Sequence, residues 1–304
     1  MTGTVYIVGA GLSGLSAAVA LSRQGVRVEV IEASPAAGGR CRSYFEPALG
    51  QIIDNGNHLI LSGNDAVHNY LRTIGSSENF LGPAHAEFAF ADMKTGARWT
   101  IRMNDGAMPW WTLSKRRRVP GTRFLDYAAL RGLMETGDVR SAHGVLWERL
   151  LQPVLLAALN TDPDKAAPRL IATVLRETLA KGGRACRPRI ASPHLAAALV
   201  DPALTFVKSK GGVFRFGQRL RNFAFDGPSV HGLDLGETTL PVSYDDRVVL
   251  AAPPWIATSL VHGIAAPDDF RAIVSGHFKI APPQSTPPIT GLIGGVLCGG
   301  AILK

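Results

Sequence analysis

At 304 residues the chain is long enough for two domains, and its 46% hydrophobic and 18% charged residues exclude a disordered or low-complexity protein. Cys41, Cys186 and Cys298 show no CxxC spacing and the histidines no HExxH-like arrangement, which argues against a disulfide framework and predicts no metal site. The formal net charge of +8 is concentrated locally: Lys115, Arg116, Arg117, Arg118 and Arg123 form a run with no acid between Ser114 and Phe124.

Thr4-Val5-Tyr6-Ile7-Val8 is a short apolar run ending at Gly9, the profile of a buried parallel strand. Leu15, Ala18, Val19 and Ser22 then recur on one face of a helix that should close at Gly25, and Val26 to Ile31 reads as a second strand stopping at Glu32. Together they predict a complete β-α-β unit. Asn64 and Asp65 can cap a helix with the face Val67, Tyr70, Leu71 and Ile74 and Gly75 as its stop. From Phe124 to Leu204 the pattern is mostly helical. Segments start at Phe124, run from Leu146 to Leu159 with a kink or break expected at Pro153, and run from Leu170 to Leu179. After Gly211-Gly212 short strands and turns take over, and Val248 to Ala251 reads as a further buried strand halted by Pro253-Pro254.

No basic region precedes the apolar start, so no signal peptide is predicted, and the late apolar run Ile289 to Leu303 is too short and too rich in glycine for the roughly 17–25 residues of a spanning helix. A reducing, cytoplasmic setting is expected. The basic run can be read as a contact for nucleic acid, as a contact for an anionic membrane, or as a solvated loop. Met108-Pro109-Trp110-Trp111 directly before it has the look of an interfacial anchor, or of a hydrophobic lid over a substrate tunnel.

Gly9-Ala10-Gly11-Leu12-Ser13-Gly14 is G-x-G-x-x-G in the context that gives the motif meaning, after a strand and opening a helix. Gly9 permits the tight turn, Gly11 lets the backbone approach a pyrophosphate, and Gly14 lets helix and strand pack closely. The phosphates are expected at the helix N-terminus, where free N–H groups and the helix dipole favour negative charge. Glu32, with Ala33 beside it, is placed at the end of the second strand to accept hydrogen bonds from ribose hydroxyls.

The segment Glu32 to Ser43, with Gly38-Gly39-Arg40, resembles the GG extension of the flavin amine-oxidase and phytoene-desaturase families. That resemblance implies FAD, with Gly38 and Gly39 allowing a second close approach and Arg40 meeting the phosphates. Asp54-Asn55-Gly56-Asn57-His58 sharpens it, being similar to the Asp-Asn-Gly-Gln-His stretch of the hydroxysqualene dehydroxylases, with Asn57 in place of Gln. Further landmarks of that family follow in order, among them Trp147 to Pro153, Ala158 to Thr161, Leu199 to Ala203, Val249 to Pro254 and His277-Phe278.

The resemblance implies an α/β, amine-oxidase-like two-domain fold. A Rossmann-type FAD-binding domain would come from residues 1–62 and 205–263, and an inserted, mostly helical substrate region from 63–204 and 264–304. It also implies a longer chain than this one, because Val296 to Lys304 does not match the family's continuation; a truncated C-terminus is expected. The implied reaction is reductive removal of the hydroxyl of hydroxysqualene, giving squalene for hopanoid synthesis. His58 and Asn57 are the candidate catalytic residues, Asp54 and Gly56 candidate cofactor contacts, and an apolar isoprenoid the substrate. Contact with an anionic membrane is expected through Trp110, Trp111 and Lys115 to Arg118, and no nucleic acid partner is. A carotenoid-type desaturase, a flavin amine oxidase and a non-catalytic remnant stand as alternatives.

Overall fold

A computed structural model describes residues 3–281, 287–295 and 299–302. Val296, Leu297, Cys298, Leu303 and Lys304, on which the expectation of a divergent C-terminus partly rests, lie outside them. The chain forms two compact units, Met1–His58 with Ala66–Phe80 and Ala191–Phe278, and Leu59–Asp65 with Leu81–Ile190 and Lys279–Lys304.

The first unit is organised by β1 (Thr4–Val8), α1 (Leu12–Arg23) and β2 (Arg27–Ile31). β1 and β2 pair in parallel, Val213–Arg215 adds to the far side of β2, and Arg247–Leu250 adds to the far side of β1. The helix face expected from Leu15, Ala18, Val19 and Ser22 is the buried one. α1 stops because Gly25 takes a left-handed conformation (φ 77°). Its amide donates to the Ser22 carbonyl and that of Val26 to the Leu21 carbonyl, which satisfies two carbonyls of the last turn. Arg247–Leu250 lies at the edge of this sheet and is half-buried rather than fully buried as its apolar run suggests. Val8, Ile31, Leu220, Phe223, Leu233 and Leu260 form a core behind the sheet, beneath an antiparallel sheet of strands 222–226, 229–234 and 239–241.

The second unit is less purely helical than its sequence pattern suggests. Glu87–Asp92 and Arg98–Arg102 pair antiparallel, and Ile289–Ile293 pairs in parallel with the first of them. Arg98-Trp99-Thr100-Ile101-Arg102 alternates exposed and buried positions, the two-residue period of a strand with one wet face. Helices Ala129–Thr136, Gln152–Leu159 and Pro168–Glu177 contribute Leu133, Leu155, Ile171 and Leu175 to one core with Trp99, Ile101 and Trp111.

Pro153 neither breaks nor ends its helix. A π-helical turn, Trp147–Leu151, precedes it, and the Gln152 amide reaches back five residues to the Trp147 carbonyl. The wider turn makes room for a ring that cannot donate and would clash with the carbonyl of the preceding turn. The first unit repeats the device: Ala196–Val200 is π-helical, Asp201 donates to the Ala196 carbonyl, and Pro202 follows. No helix among the described residues is long and apolar enough to cross a membrane.

Leu155 is fully buried, so Leu155→Ala should cost about 2–5 kcal/mol through lost transfer energy and a residual cavity. Leu170→Ala, at an exposed position, should stay within about 0.5 kcal/mol, with urea unfolding followed by circular dichroism as the measurement.

Candidate cofactor site

The site is made of two glycine turns laid one against the other. Gly9 turns the chain out of β1 at φ 107°, and its amide donates to the Ile31 carbonyl at 2.7 Å. Gly14 sits so close beneath this turn that a Cβ would come 1.8 Å from the Gly9 carbonyl oxygen; helix and strand can meet only because it has none. The second turn crosses the first: the Gly38 amide donates to the Ala10 carbonyl at 2.8 Å, and Gly11 and Gly38 form a parallel bridge. Gly39 adopts φ 53° beside them, where a Cβ would stand 3.2 Å from the Gly11 Cα. Both turns therefore depend on glycine for a close approach of backbone to backbone.

Gly11 differs from its neighbours. A Cβ built on it meets nothing within 4 Å, so its bare face opens outward from the crossing. It is also the N-cap of α1, no side chain caps the helix there, and no acid lies in the first turn. The first-turn amides beginning at Leu12 and Ser13 thus present the positive end of the helix dipole next to exposed backbone. A pyrophosphate fits these properties: its charge suits the dipole, and its bulk needs the space that a side chain on Gly11 would fill. Arg40, exposed in the turn Gly39–Cys41, adds a cation on the same segment.

Glu32 closes the other end of the cradle. Its Oε2 accepts from the Ala10 amide and its Oε1 from the Ser34 amide, each at 2.7 Å. Each carboxylate oxygen keeps a second lone pair for a hydroxyl donor. Ala33 is exposed beside it. Gln218, which sequence reasoning missed, donates its backbone N–H to the Glu32 carbonyl at 2.9 Å. Its buried Oε1 has no hydrogen-bond partner among the described residues. A buried amide oxygen without a donor is costly, and adenosine brings donors of the right kind. Only a turn after a short strand marks Gln218 in the sequence, which is too little to single it out. A cleft of about 500 Å³ opens nearby, lined by Pro35, Ala37, Arg42, Tyr44, Val200 and Phe216 among others.

The Asp-Asn-Gly stretch is tied to the GG extension from behind. The Asn55 amide donates to the Arg42 carbonyl at 3.0 Å, and its side chain donates to the Arg40 carbonyl. Asp54 is buried; its Oδ1 accepts from the Ser43 hydroxyl at 2.7 Å and from the Leu195 amide at 2.8 Å. Ser43 Oγ in turn accepts from the Ala196 amide at 2.9 Å. Asp54 thereby holds the hairpin of strands 43–46 and 51–54 against the start of the second π-helical turn. Gly56 is half-buried, whereas Asn57 and His58 are exposed. Burial pushes the Cys41 thiol up, which disfavours a reactive thiolate in this turn. No cluster of three His, Cys, Asp or Glu side chains able to hold a metal occurs among the described residues.

A parallel β-α-β unit with crossed glycine turns, an uncapped helix N-terminus and an acid closing β2 defines a dinucleotide-binding fold. The family model described as flavin containing amine oxidoreductase matches residues 12–279. The hydroxysqualene dehydroxylase of Sinorhizobium fredii is 44% identical over 98% of this chain and 73% of its own length, and that of Rhodopseudomonas palustris is 46% identical over the same shares. In fold the chain is similar to cyclohexylamine oxidase from Brevibacterium oxydans, with a TM-score of 0.56 at 20% identity over 84% of this chain and 59% of that one. The chain belongs to the flavin containing amine oxidoreductases and, within them, to the hydroxysqualene dehydroxylase family. Its cofactor is FAD, the dinucleotide form of a flavin, as the dinucleotide loop requires.

Because Gly11 has an extended backbone and open space before it, Gly11→Val should cost the apoprotein only about 1 kcal/mol, the loss of a favourable N-cap residue, and leave it folded. It should abolish FAD retention, read as loss of the yellow colour after gel filtration. Glu32→Ala should weaken FAD binding by about 1–3 kcal/mol, measured by titrating apoprotein with FAD. An unchanged dissociation constant would restrict Glu32 to its two backbone partners.

Proposed function

We propose that the chain is a hydroxysqualene dehydroxylase, removing the hydroxyl of hydroxysqualene reductively to give squalene. The observation that carries this reading is 44–46% identity to relatives of that name along 98% of the chain. Reduced FAD would supply the hydride that replaces the hydroxyl lost as water.

The chain's own residues would do the rest. Gly9, Ala10, Gly11, Leu12, Ser13 and Gly14, with Gly38 and Gly39, would hold the pyrophosphate against bare backbone, and Arg40 would meet its charge. Glu32, Ala33 and Gln218 would take the adenosine end, with Asp54 and Gly56 behind the flavin side. The segments 1–62 and 205–263 would serve as the FAD-binding domain, and the insertion 63–204 with 264–304 as the substrate region. His58 would donate the proton that lets the hydroxyl leave as water, and the Asn57 amide would position the substrate. Asn57 does with a shorter arm what Gln does in the family's Asp-Asn-Gly-Gln-His stretch. An apolar isoprenoid partitions into bilayers, so the protein would meet it at the cytoplasmic face of a membrane.

The test is turnover of detergent-dispersed hydroxysqualene by FAD-loaded protein, with squalene detected by mass spectrometry. Squalene should form under reducing conditions only, and His58→Ala should lower kcat by about 100-fold or more while FAD stays bound. Desaturation of a phytoene-like substrate under oxidising conditions, without squalene formation, would overturn the reading in favour of a carotenoid-type desaturase. Folded, FAD-loaded protein inert in both assays would support a non-catalytic role.

A further inference from the structure

Residues 104–127 form a braced rim rather than a loose loop. Asn104 Nδ2 donates to the Gly106 and Met108 carbonyls at 3.0 and 2.9 Å, and its Oδ1 accepts from the Trp111 amide at 3.1 Å. Trp111, which the sequence pattern offers as an interfacial anchor, is instead a core residue. It is 4% exposed and packs edge-on against Tyr127 at 5.3 Å between ring centres. The Tyr127 hydroxyl accepts from the Val119 amide at 3.0 Å, and the Thr122 hydroxyl donates to the Val119 carbonyl at 2.6 Å. Arg118 is also drawn inward: it is half-buried, and its guanidinium donates to the Thr112 carbonyl at 3.2 Å.

The brace turns a different set of side chains outward. Trp110 is 63% exposed and Leu125 74%, with Leu113 and Phe124 exposed beside them in sequence. Lys115, Arg116, Arg117 and Arg123 are exposed between the apolar positions, and no Asp or Glu occurs from Met108 to Leu125. Beyond the ends of that stretch, Asp105 is paired with Arg187, and Asp126 accepts the Arg123 amide.

We propose that this rim docks the protein on an anionic lipid bilayer, with Trp110, Leu113, Phe124 and Leu125 entering the headgroup region and Lys115, Arg116, Arg117 and Arg123 meeting lipid phosphates. The proposal deepens the reading of an apolar isoprenoid substrate and rests on it for its purpose. The surface itself follows from exposure and charge. Leucine side chains have no ring face on which a base could stack, so the mixture suits lipid better than single-stranded nucleic acid. Bracing the backbone that carries the exposed side chains lowers the entropy lost on binding.

The experiment is co-sedimentation of the FAD-loaded chain with vesicles of phosphatidylglycerol and phosphatidylcholine in equal parts, and of phosphatidylcholine alone, at low and high salt. Two variants accompany it, Lys115→Ser/Arg116→Ser/Arg117→Ser and Trp110→Ser/Leu125→Ser. All five positions are exposed, so the fold is retained. The wild type should prefer the anionic vesicles, and the triple variant should bind them about 100-fold more weakly at low salt. The double variant should lose the binding that survives high salt. Equal binding of wild type and triple variant to anionic vesicles would overturn the proposal, as would preferential capture of single-stranded RNA over those vesicles. Both variants should turn over detergent-dispersed hydroxysqualene like the wild type. Loss of docking with intact turnover therefore isolates this surface, while failed turnover in the wild type counts against the catalytic reading alone.

Discussion

The hydrogen bond from the Gly38 amide to the Ala10 carbonyl holds the first glycine turn under the second. Around that crossing, four glycines do three kinds of physical work. Gly9 and Gly38 supply left-sided backbone angles, Gly14 removes a collision with the Gly9 carbonyl, and Gly11 leaves a face bare. The carboxylate of Glu32 then ties β2 to the same turn through the Ala10 amide. The chain's own hydrogen bonds build this cradle, so its shape does not rely on ligand contacts. It depends on a close approach that a single methyl group at Gly14 would prevent.

Much of this cradle was legible in the sequence because its determinants are local. Ala10 and Glu32 are 22 positions apart, within one β-α-β unit whose periodicity, glycine stops and acid all agree. The role of Asp54 was less so: its partner Leu195 is 141 positions away, and no spacing rule connects them. Gln218 has the same difficulty, since only the orphaned oxygen beside Glu32 distinguishes it. In the second unit the strand Arg98–Arg102 carries a readable alternation, but Glu87–Asp92 mixes buried and half-buried positions and takes one partner from the far end of the chain. Length and periodicity alone do not separate such a segment from a helix.

Aromatic residues in the rim show the same limit at finer scale. Trp110 and Trp111 are adjacent and chemically identical, yet one is exposed and the other completes the core of its unit. What separates them is the Asn104 side chain, which grips the Trp111 amide, and Tyr127, which offers its ring. The two prolines inside helical stretches make a complementary point. Pro153 and Pro202 each follow a π-helical turn, so the break that the sequence suggests at Pro153 is absorbed by a change of pitch one turn earlier.

The parallel sheet of the first unit is drawn from very different times in the life of the nascent chain. β1, α1, β2 and the crossing glycines leave the ribosome ahead of the sheet's outer strands and close by short-range contacts. The strands at either side of them, Val213–Arg215 and Arg247–Leu250, are made only after the whole of residues 81–190 has been synthesised. Ring closure over so long an intervening stretch is slow compared with local pairing. The nucleotide cradle is thus the part able to form early, as an island whose flanks stay open to mispairing until the outer strands arrive.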